Sequence, residues 1–400
     1  MIHLLINFLL IIVIGYLFGK VMKLVKLPNL MGMLILGIII GPHAMNLLHN
    51  EITEYSNQLR QFALMIIILR ATLQNNNDNV NETKNQNQNK NKLIIFDETF
   101  FASLALVILP SFVETLVTTV LTIFLFNFHF SIFESILLGV GLSGISPAII
   151  IPRLLKLKRS TSLNLILINA TTLNSILTLI IFSTMLRGFN INLVFGIVLA
   201  YFLGNIVSKF FNFFNIFTLI IFSMFFMFLF GSLALFIFAN QISSRISFSN
   251  SISFSINKGL KSLWFVFEIF LFVLIGSTID FNIFNINIII IPIIIIVIGV
   301  SSRILFLWQS FYLYRFLYLP FNRFPNCFNF DTSFSKEKNG QHLILACNIP
   351  KATVQATIAT IPLNMGLEIG EMFHIVLVLS ILITTPIGAL LLDKQIAKKL

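Results

Sequence analysis

Long apolar runs separated by short polar or basic segments constrain this chain more than any other feature of its sequence. A helix that spans a bilayer needs about 20 mostly apolar residues. Hydrophobic residues make up 57% of the 400 positions and charged residues 10%, so a water-soluble domain could not bury this much apolar surface. We therefore predict an all-α, multi-pass membrane protein. Twelve runs are predicted to be spanning helices: 2–19, 30–48, 60–73, 100–127, 131–151, 162–186, 190–207, 215–240, 262–279, 284–306, 341–365 and 371–392.

Basic residues predict the orientation of these spans. Lys20, Lys23 and Lys26 follow the first run, and a second basic group, 153–159, follows the fifth. Loops rich in Lys and Arg stay on the cytoplasmic side, which places the N-terminus outside. Twelve crossings would leave the basic C-terminal tail outside as well. Counting the serine-rich stretch 243–256 as a thirteenth span returns the C-terminus to the cytoplasm. The sequence does not distinguish the plasma membrane from an organelle membrane.

The bulk charge and the remaining residue types exclude several classes of function. The formal net charge of +11 comes largely from loops beside apolar runs, so it predicts topology and not a nucleic-acid partner. The two cysteines and six histidines show no metal-ligand spacing. We expect no enzymatic activity, no cofactor and no resident metal. Residues 1–400 are predicted to form one transmembrane domain, interrupted by a disordered, Asn-rich cytoplasmic loop at 75–92.

Four ionisable side chains fall at bilayer depth, where a charge is costly and usually marks a functional site. Two are acids, Glu114 and Glu268, and two are cations, Arg303 and Lys351. A buried acid needs a partner, so each cation is a candidate partner for either acid. The alternative is an ion-pair cluster that only stabilises the fold. Arg303 lies near a helix end and could also extend its charge to the interface.

Two apolar runs are interrupted at comparable places in the two halves of the chain. "LLGVGLSGISPAIIIP" contains Ser146 and Pro147 at its interruption, and "NIPKATVQATIATIP" contains Pro350, Thr353 and Gln355. Proline removes a backbone donor and leaves a carbonyl without its helical partner. A pair of broken helices in corresponding halves is typical of inverted-repeat secondary transporters, whose ion site lies where the half-helices meet. Either interruption alone would fit an ordinary kinked helix.

These interrupted segments also carry a resemblance to a known family. The chain resembles the monovalent cation:proton antiporter superfamily, and within it the sodium/proton antiporter branch shared by bacteria and the animal subgroup B sodium/hydrogen exchangers. The matching segments are, in order, "LPNLMGMLILGIIIGP", "LPSFVETLV", "SGISPAIIIPRLLKL", "FEIFLFVLIGSTID", "NIPKATVQATIATIP" and "LSILITTPIGALLLD". They run from the second span to the last.

The resemblance implies a fold, a mechanism and a set of site residues. The fold is an inverted repeat with two broken helices that cross, and the assembly is a homodimer in the lipid bilayer. The function is exchange of a monovalent cation, Na⁺ or Li⁺, for protons by an elevator-like alternating-access cycle. Glu114, Arg303 and Lys351 match the positions of a buried polar cluster in that family.

The departure from the family lies in "ILINATTLNSILTLIIF", residues 166–182. Family members carry a pair of adjacent acids, or Asn followed by Asp, where this chain has Asn174 and Ser175. With Thr171 and Thr172, these residues form a candidate site for the cation. They stay neutral at physiological pH, however, and cannot carry the proton.

Three interpretations of this departure follow. In the first, exchange persists with the proton carried elsewhere, with Glu114 as the nearest candidate and Lys351 as the second. In the second, coupled transport is lost and the protein is a leak, a regulatory partner or a structural partner. In the third, another acid enters the site through a shifted register. The third is the weakest, because no Asp or Glu occurs between Glu134 and Glu268.

Overall fold

The structure is a computed structural model that describes residues 2–25, 27–47, 56–83, 98–127, 129–155, 162–188, 191–209, 216–246, 250–279, 286–318 and 338–397. All regular secondary structure in these ranges is helical. The helices are α1 (Ile2–Leu24), α2 (Asn29–Ile40), α3 (Ser56–Thr83), α4 (Glu98–Leu125), α5 (Ile132–Ser143), α6 (Pro147–Leu154), α7 (Ser162–Arg187), α8 (Ile191–Lys209), α9 (Ile216–Phe230), α10 (Ser232–Ile246), α11 (Asn250–Ser277), α12 (Ile286–Tyr318), α13 (Lys338–Cys347), α14 (Thr353–Ile358), α15 (Ile361–Asn364) and α16 (Gly370–Ala397).

The chain divides into two compact units. The first comprises Met1–Asn50, Phe96–Thr178 and Phe272–Leu400, and the second comprises Glu51–Ile95 and Leu179–Leu271. Within the described residues, seven helical spans are long and apolar enough to cross a membrane, and three shorter helices are also apolar. The all-α, multi-pass class is confirmed. The number of thirteen crossings stays a prediction.

Two predicted spans in the second unit differ from the structure. The stretch 243–256 does not form a helix of its own. Its first four residues end α10, residues 250–256 begin α11, and 247–249 lie outside the described residues. The run 215–240 instead divides into α9 and α10 at Gly231, whose φ of 93° few other residues adopt. The rings of Phe226 and Phe238 lie 4.7 Å apart, whereas one continuous helix would separate them by roughly 18 Å. The chain therefore folds back at Gly231.

The Asn-rich segment 75–92 is only partly described. Helix α3 continues to Thr83, so residues 75–83 are helical and not loop. Residues 84–92 lie outside the described residues, and the disordered loop there stays a prediction.

Glycines let helices of the first unit approach closely. A Cβ atom at Gly37 of α2 would overlap the backbone carbonyl of Val273 in α11, and a Cβ at Gly276 would overlap the carbonyl of Leu34. Close approach of this kind between small residues is typical of membrane helix packing. These glycines of α2 and α11 thus serve a close contact within one chain.

Two carboxylates fix the ends of the helices around the first interruption. Ser131 caps α5 in a reciprocal capping box with Glu134, and the second oxygen of Glu134 accepts a hydrogen bond from the Ile369 N–H, 3.2 Å away, just before α16. At the other end, Arg153 of α6 pairs with Asp393 of α16 at 3.1 Å. Helix α16 is therefore tied to both ends of the interrupted helix.

Candidate functional site

The structure brings the two interruptions together in the first unit. Helix α5 ends at Ser143 and α6 begins at Pro147, while α13 ends at Cys347 and α14 begins at Thr353. The Ser146 N–H donates to the Pro350 carbonyl at 2.9 Å, and the Ser146 and Thr353 hydroxyls lie 3.3 Å apart. The two broken helices that the sequence predicts therefore touch through their unwound backbones.

Proline determines where each helix stops. A residue that precedes proline is driven out of the helical region, and Ser146 adopts φ −96°, ψ 106° directly before Pro147. Gly144 is extended as well, at φ −65°, ψ 140°. Pro350 lies within the second interruption, which ends at Ala352 with φ −152°. Each interruption leaves polar backbone groups that need new partners, because no water is available at bilayer depth.

Side chains from the second half of the chain donate hydrogen bonds to the carbonyls at the end of α5. Lys351 Nζ donates to the Leu142 carbonyl at 2.6 Å, and Arg303 Nη1 donates to the Ser143 carbonyl at 2.6 Å. Gln355 Nε2 donates to the carbonyls of Gly141, at 3.1 Å, and Gly144, at 2.8 Å. Two cations and one amide therefore satisfy the last carbonyls of this helix.

Glu114 lies between the same two cations. Its carboxylate oxygens are 2.8 Å from Arg303 Nη1 and 2.7 Å from Lys351 Nζ, and all three side chains are fully buried. The structure thus brings together the three residues predicted to form a charge cluster. One carboxylate and two cations leave a formal charge of +1. The C-terminal end of α5 offsets this charge by roughly half a unit, through the dipole of its carbonyls.

Two residues that the sequence analysis did not single out complete the cluster. Ser111, one helical turn before Glu114 on α4, accepts from Arg303 Nη2 at 3.3 Å. Asn348 accepts from Arg303 Nε at 3.1 Å and anchors its own amide on a backbone carbonyl. The sequence carries a signal for Ser111, because it lies three residues before Glu114 and residues three apart share one face of a helix.

The polar patch of α7 divides into two groups. Thr171 and Thr172 donate their hydroxyl protons to carbonyls of their own helix. Asn174 and Ser175 reach the first interruption, where Asn174 Oδ1 accepts from the Ile145 N–H at 2.7 Å and Ser175 Oγ donates to the Ile145 carbonyl at 2.8 Å. The Ser175 hydroxyl shares its one proton with the Thr171 carbonyl of its own helix, 2.9 Å away. Asn174 also donates from Nδ2 to the Ser111 hydroxyl at 2.6 Å. Asn174 therefore links the polar patch to the charge cluster.

Glu268 does not join this cluster. It lies in the second unit, where Arg70 is its charged neighbour and the Trp264 indole hydrogen-bonds to it. The sequence-based choice between Glu114 and Glu268 as partner of the two cations is resolved in favour of Glu114. Arg70 was not singled out from the sequence. Within the described residues, no three His, Cys, Asp or Glu side chains form a metal cluster.

Comparison with known proteins gives one family and one fold. The family model described as "Sodium/hydrogen exchanger, transmembrane" matches residues 8–393. The sodium proton antiporter MjNhaP1 from Methanocaldococcus jannaschii at pH 8 aligns with a TM-score of 0.67 and 15% identity, over 98% of this chain and 97% of that chain. A second structure of the same antiporter, from electron microscopy, aligns with a TM-score of 0.65 and 13% identity, over 100% and 97%. No curated protein matches the sequence.

The two comparisons agree with the geometry of the site. At these identities the structural likeness shows the antiporter fold alone, and it covers nearly the whole of both chains. The family model spans both interruptions, the charge cluster and the polar patch of α7. The chain belongs to the sodium/hydrogen exchanger family.

Proposed function

We propose that this protein exchanges a monovalent cation, Na⁺ or Li⁺, for protons across its membrane by alternating access. The observation that carries the proposal is the position of Glu114. It is a fully buried carboxylate in contact with two cations at the meeting point of two broken helices. Such a cluster is expensive to build at bilayer depth, and membrane proteins retain such groups where ions or protons move.

The cation is proposed to bind beside α7, on oxygens of Thr171, Thr172, Asn174 and Ser175. The three hydroxyl groups use their protons to donate to carbonyls, which leaves oxygen lone pairs free to accept. Asn174 Oδ1 accepts one backbone N–H and keeps a second lone pair. Neutral oxygens of this kind are suitable ligands for Na⁺ or Li⁺.

The proton is proposed to travel on the pair formed by Glu114 and Lys351. Asn174 and Ser175 have no titratable group. If Lys351 releases its proton while Glu114 stays paired with Arg303, the cluster loses one positive charge. A bound Na⁺ restores that charge. The cation therefore binds best when Lys351 has lost its proton, and the proton binds best when the cation has left. This competition couples the movements of the two ions.

Exchange in liposomes tests the proposal. Purified protein is reconstituted with an internal pH-sensitive dye, and Na⁺ or Li⁺ is added outside. We expect a cation-dependent pH change in the parent protein and its loss in Glu114→Gln. Glu268→Gln is the matched control, because it neutralises a half-buried helical carboxylate that belongs to the second unit and does not contact the charge cluster. Loss in Glu268→Gln with retention in Glu114→Gln would contradict the proposal. Silence of the parent protein with either cation would favour the transport-deficient alternative.

We further propose that the protein is a homodimer with its N-terminus outside and its C-terminus in the cytoplasm. The proposal rests on the basic residues in the last turns of α1 and α6 and just after them, and on the family to which the chain belongs. Labelling of a cysteine introduced at the C-terminal tail with a membrane-impermeant reagent tests the orientation. Labelling in intact cells without permeabilisation would contradict it.

A further inference from the structure

Helix α7 holds both polar groups of a single residue in the first interruption. The Ile145 N–H donates to Asn174 Oδ1, and the Ile145 carbonyl accepts from Ser175 Oγ, at 2.7 and 2.8 Å. Two adjacent side chains thus satisfy the donor and the acceptor of one unwound residue. All three residues are buried, so water does not compete for these bonds.

Helix α16 repeats this arrangement at the second interruption. The Lys351 N–H donates to Thr384 Oγ1 at 3.0 Å, and the Lys351 carbonyl accepts from Thr385 Oγ1 at 2.8 Å. The order is the same as in α7: the first member of the adjacent pair accepts from the N–H, and the second donates to the carbonyl. Two long helices, each following a broken helix, therefore bind the backbone of an interruption in the same way.

We propose that Asn174–Ser175 and Thr384–Thr385 are equivalent backbone clamps, and that their four side chains are positioning residues for the charge cluster. The first clamp holds the backbone just after Leu142 and Ser143, whose carbonyls receive the two cations. The second holds the backbone of Lys351 itself. Together the two clamps position the Leu142 and Ser143 carbonyls, which accept from the two cations. They also position Lys351, which is one of these cations.

In this chain the second position of each clamp supplies a donor. The side chain at 175 or 385 has to donate a proton to a carbonyl, and a hydroxyl can do so. An ionised carboxylate only accepts. An Asp at position 175 would leave the Ile145 carbonyl without a donor and would place a negative charge against it. At position 174 an Asp would still accept from the Ile145 N–H. In this chain the Ser175 hydroxyl supplies a donor to the Ile145 carbonyl, so we expect Ser175→Asp to weaken the first clamp.

Other hydroxyls on the same two helices supply controls. Thr184 of α7 and Ser380 of α16 donate only to carbonyls of their own helices. Removing either hydroxyl leaves both interruptions unchanged. Thr184→Val and Ser380→Ala therefore separate loss of a clamp from loss of any hydroxyl on the helix.

Residue-resolved amide hydrogen exchange of the protein in lipid nanodiscs tests the proposal without requiring transport. We expect the Lys351 amide to exchange about 3- to 10-fold faster in Thr384→Val, since one buried hydrogen bond is lost. Thr384→Ser keeps the acceptor and should restore the slow rate. Asn174→Leu should accelerate the Ile145 amide, and Asn174→Asp should not. Thr184→Val and Ser380→Ala should leave both amides at the parent rate.

The carbonyl side of each clamp is tested through position 175 and position 385. Ser175→Asp should accelerate the Ile145 amide, whereas Ser175→Thr should not. In the liposome assay, which rests on the proposed function, Thr385→Val should raise the KM for Na⁺ and Thr385→Ser should return it to the parent value. Unchanged exchange at Ile145 in Ser175→Asp, or equal acceleration by the control variants, would overturn the proposal. A silent parent transporter with the expected amide rates would refute the proposed function and leave the clamps standing.

Discussion

Neutralising Glu114 should destabilise the protein by about 3–5 kcal/mol, the cost of removing one partner from a buried ion pair. The Glu114→Gln substitution keeps the shape of the side chain but leaves Arg303 and Lys351 fully buried, each within 2.8 Å of the position of the lost charge. The loss corresponds to a change of about 10²- to 10⁴-fold in the unfolding equilibrium. Equilibrium unfolding by SDS in mixed micelles measures it.

A double variant tests whether charge is the cause. In Glu114→Gln/Lys351→Met one cation is removed together with the acid, so the formal charge of the cluster returns to the parent value. Arg303 keeps its bonds to the Ser143 carbonyl and to Asn348. We expect the double variant to recover most of the loss. If it is as unstable as the sum of the two single variants, or if Glu114→Gln unfolds like the parent, the electrostatic reasoning is refuted.

Three further predictions concern the packing and the ends of the helices. Gly37→Val should sharply reduce the yield of folded protein, because the new side chain meets backbone that cannot move aside. Gly19→Ala is the control and should not reduce the yield, because its new Cβ makes only ordinary contacts of 3.4 Å. Size-exclusion chromatography in detergent measures both yields. Glu134→Gln weakens the capping box and the bond to the start of α16, so it should cost about 1–3 kcal/mol in SDS unfolding, and a value near zero would contradict this role. Asp393→Asn should cost less than about 1 kcal/mol, since its pair with Arg153 is partly exposed, and a larger loss in the same assay would contradict it.

The charge cluster could be predicted from the sequence because charge at bilayer depth demands a partner. Charged residues are few inside the apolar runs, so cost alone predicts that a buried acid pairs with Arg303 and Lys351. It does not decide between Glu114 and Glu268, and the structure makes that choice. The backbone bonds of the crossing could not be predicted. Serine and threonine in a spanning helix usually bond carbonyls of their own helix, as Thr172 does. Which hydroxyls reach another helix depends on the rotation of each helix, and the sequence does not give it. Thr384 and Thr385 were missed for this reason.

The errors in the second unit have a similar origin. Hydropathy averages over about 20 residues, so it merged α9 and α10 into one run and did not register a single residue at which the chain reverses. Gly231 is one glycine among 19, and nothing in the sequence marks it as the residue whose positive φ reverses the chain. Counting the serine-rich stretch 243–256 as a separate span returns the basic tail to the cytoplasm, but the described residues of this stretch end α10 and begin α11. The structure places the additional helix end at Gly231 instead.

The partners of the α5 carbonyls have a consequence for biogenesis. The donors to Ser143 and Leu142 lie 160 and 209 residues further along the chain. At a synthesis rate of about 5–20 residues per second, the ribosome reaches Lys351 roughly 10–40 s after it has made Leu142. During that interval the Leu142 and Ser143 carbonyls lack the donors that they have in the folded protein. Because an unpaired carbonyl is costly in lipid, the first broken helix needs polar surroundings until the second half of the chain is made.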